Sequence, residues 1–245
     1  MRQDTYKTMH ESEKTHWWFC GRREIINRLG EHFVWRNRDK KLRILALGCG
    51  TGAELDFLSK LGDVTGMDYS LEAVTFCKMS SHNVMQGDAE NLSFSDESFD
   101  LVVAFDVLEH IKNDRKAVTE VYRVLKREGI FYLTVPAFQF LWSYNDDISY
   151  HHRRYTKRTL LELLDGFGIE KISYFNMIFF PLVMAVRRLN KSFKRRAVSD
   201  GDIKKTNTII NFVLRKIFAF EKYFLTRFNF PFGISLICIA RKKHE

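Results

Sequence analysis

Two groups of side chains in this 245-residue chain have the types and spacing to do chemistry. The first is a glycine-rich turn, Gly48-Cys49-Gly50-Thr51-Gly52, followed by three aspartates: Asp68, Asp88 and Asp106. Glycines in such a turn let the backbone approach a ligand closely, because they lack Cβ. No Gly-Lys-Ser/Thr follows, which excludes a nucleoside-triphosphate P-loop. Asp68 lies where a carboxylate can accept from both hydroxyls of a ribose. Asp88, in Gln86-Gly87-Asp88-Ala89-Glu90, can meet an adenine amino group, and Asp106 stands in Ala104-Phe105-Asp106-Val107-Leu108-Glu109-His110. The second group is a polar loop, residues 143–154, that holds Asp146, His151 and His152. An imidazole with an ordinary pKa near 6.5 can take a proton from a hydroxyl or amine, so His151, with His152 as the alternative, is the candidate acid–base residue. Asp146 is the candidate for orienting that histidine or the substrate. A surface histidine in a basic loop is the competing reading.

The elements that position these residues follow from hydrophobic pattern. Short apolar strands are expected at 42–47, 63–68, 83–88, 99–105 and 130–135, alternating with helices at 53–61, 71–79 (N-capped by Ser70) and 114–126. Such alternation implies right-handed crossovers and a parallel sheet, with the glycine turn and the aspartates at the carboxyl ends of its strands. A helix from Thr156, a strand near 169–175 and a closing strand at 233–240 complete the pattern. The chain is read as one domain over 1–245: a helical lid (1–40), a ligand-binding core (41–176), a helical insert (177–230) and a closing strand (231–245).

The run ILALGCGTG…VTGMDYS…GDAENLSFSDESFDLVVAFDVLEHI…LKREGIFYLTVP, over roughly residues 42–136, resembles the class I S-adenosylmethionine-dependent methyltransferases, specifically the type 11 group. The resemblance implies an α/β, Rossmann-like, seven-stranded, mostly parallel sheet with an antiparallel last strand, and helices on both faces. It implies S-adenosylmethionine as cofactor and S-adenosylhomocysteine as product. Gly48, Gly50 and Gly52, with Cys49, would line the methionine part. Asp68, with Tyr69 beside it, would hold the ribose, Asp88 and Ala89 the adenine, and Phe105 and Asp106 the floor near the sulfonium. Ala46 departs from the family, which carries an acid there to orient the cofactor's amino group. Either affinity falls or another residue compensates, and a non-catalytic binding protein is the contrasting class.

The segments HWWFCGRREII and WSYNDDISYHHRRYTKRTLLELL also resemble a bacterial subgroup associated with sugars, lipids or cell-surface glycans, in which His151 matches the loop histidine. Cys20 stands where that subgroup has arginine and Tyr150 where it has glycine, both at positions expected to touch substrate. Trp17, Trp18 and Phe19 could close over the cofactor or anchor the N-terminal helix. Arg22 and Arg23 could meet an anionic group or stay solvated. His110 is expected to cap or pack the helix after the fourth strand.

Composition sets the wider limits. Cys20, Cys49, Cys77 and Cys238 form no zinc-type spacing, so neither disulfides nor a metal site is expected. The charged N-terminal stretch has no signal-peptide core, and the longest apolar run, 178–186, is far short of a membrane span, so a cytoplasmic protein is expected. The net charge of +9 is concentrated in residues 180–229, which hold twelve Lys/Arg against three Asp/Glu, and half of the 22 phenylalanines lie between Phe175 and Phe232. The basic, aromatic insert has three readings: peripheral contact with the inner membrane face, a nucleic-acid surface, or a cap with a solvated outer face. Nucleic acid ranks last, because no base-methylating or RNA-binding motif accompanies it. The expected acceptor is a small molecule or a lipid- or sugar-linked one, offering an oxygen, nitrogen or carbon nucleophile.

Overall fold

The computed structural model describes residues 3–35, 40–192 and 207–243. Seven strands form one sheet in the order β3-β2-β1-β4-β5-β7-β6. They are β1 (Leu42–Leu47), β2 (Gly62–Asp68), β3 (Val84–Gln86), β4 (Phe99–Phe105), β5 (Leu125–Pro136), β6 (Phe167–Phe175) and β7 (Ser235–Lys242). Strands β1 to β5 pair in parallel, and β7 inserts antiparallel between β5 and β6. The expected mostly parallel sheet with an antiparallel last strand is therefore present. Strand order reverses at β1, which is flanked by β2 and β4, and the crevice beyond the carboxyl ends there is the usual ligand position of open α/β sheets.

The central strands are apolar from Ile44, Leu101 and Ile130 onward, apart from Thr134, because both faces are covered there. Ile44, Leu45, Leu101, Val102, Phe131, Tyr132 and Leu133 are fully buried. Around the sheet lie α1 (Gln3–Thr15), α2 (Trp17–Phe33), α3 (Leu55–Leu58), α4 (Leu71–Met79), α5 (Asp114–Val124), α6 (Tyr144–Ile148), α7 (Lys157–Leu163), α8 (Phe180–Ser192), α9 (Thr208–Phe220) and α10 (Lys222–Leu225). Helix α2 is fastened to the sheet by Tyr132, whose hydroxyl donates to the Ile26 carbonyl at 2.8 Å.

Local chemistry sets the element ends. Ser70 caps α4 as expected, its hydroxyl accepting from the Ala73 N–H at 3.3 Å. The helix expected over 53–61 shrinks to one turn, because the Leu61 carbonyl already accepts from the Leu42 N–H and draws the chain into the sheet. Helix α5 stops at Val124, since Leu125 turns extended (φ −71°, ψ 135°) and pairs with Phe99. The polar loop at 143–154 contains α6, whose capping box is built by Ser143 and Asp146.

Within the 177–230 insert, residues 193–206 lie outside the described residues, and with them five of its twelve basic side chains. Helix α9 packs along α2, and two of the basic residues are committed there. Arg215 and Lys222 both donate to Glu24, at 2.8 and 2.5 Å. Among the described residues no helix is long and apolar enough to cross a membrane.

Candidate active site

The glycine turn leaves β1 with Gly48, Gly50 and Gly52 all at positive φ (60°, 52° and 81°), where a side chain would strain the backbone. A Cβ added to Gly50 would meet nothing nearer than the Gly48 carbonyl at 3.9 Å, so the turn opens onto free space. At Gly48 it would lie 2.6 Å from the Val107 side chain, which wedges the turn against the segment after β4. Asp68 at the end of β2 ties the turn in place. Its Oδ2 accepts from the Gly50 N–H and its Oδ1 from the Ser70 N–H, both at 2.9 Å. Each carboxylate oxygen keeps a second lone pair for a ligand. Cys49 is buried beneath the turn, and the Cys77 thiol donates to the Gly50 carbonyl at 3.3 Å. Tyr69 is 78% exposed, and Asp88 is exposed with Oδ1 accepting from the Glu90 N–H. Ala89 is half-buried beside it. Phe105 packs edge-on against Tyr132 at 5.2 Å.

Asp106 follows at φ +57°, a backbone conformation rare for a side-chain-bearing residue and often found where function dictates geometry. It accepts from the Thr134 hydroxyl at 3.1 Å and from the Arg22 guanidinium, which also pairs with Glu54 at 3.0 Å. Arg22 is buried under Trp18, its guanidinium carbon 5.0 Å from the ring centre. Neither solvated nor free for an anionic substrate, it is a buried clamp between α2, the turn and β4.

The N-terminal helices reach the turn, with Trp18 and Phe19 against the Arg22 guanidinium. Trp17 packs edge-on against Phe179 and Phe218, at 5.1 and 6.0 Å, and its N–H donates to Asn211, which anchors α2 on the insert. Helix α1 instead lays His10 and Glu13 on Thr51 of the glycine turn, with the Thr51 hydroxyl donating to Glu13. Burial pushes the Glu13 carboxyl above its ordinary pKa. These two residues escaped the sequence reading, since nothing in the spacing of α1 marks which face meets the turn. Cys20 is buried at the α1–α2 corner, its thiol donating to the Lys14 carbonyl at 3.2 Å.

The motif His151-His152-Arg153-Arg154-Tyr155 binds the 143–155 loop to the 3-10 turn Leu108–His110 and the start of α5. Arg154 forks onto Asp146 through Nε (2.7 Å) and Nη2 (2.9 Å) and donates to the Ala137 carbonyl. Arg153 pairs with Asp114 at 2.6 Å, and the Tyr155 hydroxyl donates to the same carboxylate at 2.8 Å. The His152 backbone N–H donates to the Glu109 carbonyl at 2.7 Å, and the residue is exposed. Asp146 is buried, and it accepts from His151 Nδ1 at 2.9 Å. Burial alone would raise the Asp146 carboxyl, but hydrogen bonds from His151 and Arg154, with the Arg154 charge, outweigh it and hold the group far below the usual range.

His151 thus presents its other ring nitrogen, Nε2, away from Asp146 and meets the His110 ring edge-on at 4.6 Å. Asn113 rather than His110 caps α5, and the turn at 108–110 brings the His110 ring against the loop at His151. Glu109 beneath it is 1% exposed, and its Oε2 has no hydrogen-bond partner among the described residues. Burial, and then the Asp106 charge, push the Glu109 carboxyl well up. Desolvation of the ring, and then the neighbouring His151, hold the His110 imidazole below its ordinary range, although the residue as a whole is exposed. Tyr150, where the subgroup has glycine, sits at φ +56°, so the loop keeps a glycine conformation under a tyrosine side chain.

Residues 45–133 match the methyltransferase domain family. A Mycolicibacterium smegmatis protein named as a probable S-adenosylmethionine-dependent methyltransferase is 27% identical over 170 residues, 67% of this chain and 63% of that protein. A fatty-acid O-methyltransferase of the same organism is 33% identical over 100 residues, 38% of this chain and 36% of that one. The chain therefore spans less than two thirds of the length of these curated relatives. A solved S-adenosylmethionine-dependent methyltransferase from Archaeoglobus fulgidus superposes with a TM-score of 0.56 at 22% identity, covering 89% of this chain and 93% of that one. These matches support S-adenosylmethionine as the methyl donor. The fold is the Rossmann-like fold of the class I methyltransferases, and residues 45–133, which carry the glycine turn and Asp68, Asp88 and Asp106, match the methyltransferase domain.

Proposed function

We propose that the chain transfers a methyl group from S-adenosylmethionine to a nucleophile on a small or lipid-linked acceptor. The observation that carries this reading is the coupling of the open Gly50 turn to Asp68 at the strand-order reversal, inside the segment that matches the methyltransferase domain. The residues fit the cofactor. The Gly48–Gly52 turn holds the methionine part, the free lone pairs of Asp68 the ribose hydroxyls, and Asp88 with Ala89 the adenine. Phe105 and Asp106 floor the sulfonium. Bound there, S-adenosylmethionine supplies an electrophilic methyl carbon. The chain's own task is to align an acceptor with it and exclude water. Glu13, drawn over the turn by α1, takes the part of the acid missing at Ala46 toward the cofactor's amino group. His151, held by Asp146, activates the acceptor.

A lipid-linked acceptor is favoured by the insert. On α9, Ile209, Ile210, Phe212, Val213, Ile217 and Phe220 are all exposed, Ile209 at 74% and Phe212 at 57%. A cap with a solvated outer face would not leave so many apolar side chains outward. Next to them an apolar cavity of ≈ 210 Å³ is lined by Met177, Ile178, Phe220, Glu221, Phe224 and Phe230. With the positive charge of the segment, this face suits the surface of an anionic bilayer. Methyl-labelled donor, incubated with the protein and bacterial lipid extract, should give label in the organic phase. The label should fall strongly in His151→Ala, whose donor affinity is retained. Label confined to the water-soluble fraction would sink the lipid reading while sparing methyl transfer.

A further inference from the structure

We propose that Glu109, His110 and His151 form a binding site for one divalent transition-metal ion, open toward the acceptor. One donor atom from each of the three lies within 4.8 Å of the others, a span one ion can bridge. The surroundings are those of a prepared ligand set. Metal-bound histidines regularly donate their second ring N–H to a carboxylate or carbonyl, which fixes the lone pair of the first nitrogen on the ion. His151 does this through Nδ1 to Asp146, leaving Nε2 free, and the His110 ring meets the His151 ring edge-on at 4.6 Å. The independent observation is Glu109. Its side chain is buried, and among the described residues Oε2 has no hydrogen-bond partner, although its neighbours Asp106 and Asp146 each hold an arginine. A buried carboxylate oxygen without a partner costs on the order of 1–3 kcal/mol, and a cation would satisfy it.

Two imidazoles and one carboxylate suit zinc, cobalt, manganese or ferrous iron rather than calcium. Three protein ligands leave coordination positions open, as catalytic sites do. The cluster begins three residues after Asp106, on the acceptor side of the cofactor floor. With Nε2 of His151 on the ion, activation of the acceptor passes from the imidazole as base to the metal, and an acceptor hydroxyl bound there would lose its proton to solvent more readily. The inference rests on the methyl-transfer reading for its role and narrows the nucleophile to oxygen. Cysteine and histidine spacing gave no expectation of a metal, because the ligands come from a turn and a loop that only the fold brings together.

Untagged protein, stripped by a chelator, is titrated with Co²⁺ and followed by its visible absorption, then challenged with Zn²⁺. One equivalent should bind with a d–d band and be displaced by zinc. Glu109→Gln and His110→Ala should each weaken it by about tenfold or more, whereas His32→Ala, on the far part of α2, should leave it unchanged. Because His110 is exposed, its variant tests the site even if Glu109→Gln folds poorly. Absence of a band, or a band indifferent to Glu109→Gln and His110→Ala, overturns the proposal. Calorimetry with S-adenosylhomocysteine on the same preparation separates this outcome from failure of the methyl-transfer reading.

Discussion

Asp146 shows how a single carboxylate can set the geometry of a loop. It closes the α6 capping box, receives both arms of Arg154 and orients His151. Arg154→Ala would leave it buried with much of its compensation gone, so a loss of about 3–5 kcal/mol is expected in urea unfolding. Arg154→Lys should recover only part, since an ammonium cannot fork. A loss below 1 kcal/mol would mean the pair is dispensable. Tyr150 gives a prediction of the opposite sign. Its left-handed backbone costs about 1–2 kcal/mol, against less than 1 kcal/mol lost to glycine's extra freedom, so Tyr150→Gly should raise the melting temperature. A lowered melting temperature would show that the tyrosine ring contributes more than its backbone costs. The role of Tyr150 was legible only as a departure from the subgroup's glycine; the physical reason, a positive φ, needed the fold.

Among the elements, β1 to β5 and α4 were readable because their patterns are local: apolar runs buried on both faces, and Ser70 before a helix. What the sequence could not disclose is which helix faces meet. The contact of α1 with Thr51 through Glu13, and the approach of His110 to His151, depend on crossings between segments distant in the chain. The junction of β6 and α8 is of the same kind. Buried Glu221, from the end of α9, accepts from the N–H groups of Asn176, Met177 and Ile178 at 2.7, 2.7 and 2.9 Å. Glu221→Ala would strand three backbone donors and should cost about 3 kcal/mol. Increased amide exchange confined to 176–180 is the local signature, and unchanged protection there would contradict it.

For the whole molecule, charge and burial are coupled through Lys171. It lies buried on β6, donates to the Phe228 carbonyl at 2.9 Å, and has its pKa lowered to about 8 by burial and then by Lys157. In the unfolded chain it titrates near 10.4. Between these values the unfolded chain keeps a proton that the folded chain has released, so this group's contribution to stability rises with pH across that window. Relative to Lys171→Met, the wild type should therefore gain stability from about pH 7 to about pH 10. A constant difference would mean Lys171 titrates normally. At the same scale, the exposed face of α9 predicts co-sedimentation with vesicles containing anionic lipid. A Phe212→Ser/Phe220→Ser double variant should weaken it more than added salt does. Binding abolished by salt and indifferent to the two phenylalanines would assign the contact to charge alone.

Methyl transfer by this chain depends first on the donor site. Calorimetric titration with S-adenosylmethionine and S-adenosylhomocysteine should give micromolar binding, weakened on the order of 100-fold by Asp68→Ala, as expected for loss of charged hydrogen bonds to two hydroxyls. Affinity for neither ligand, or affinity unchanged in Asp68→Ala, would contradict it.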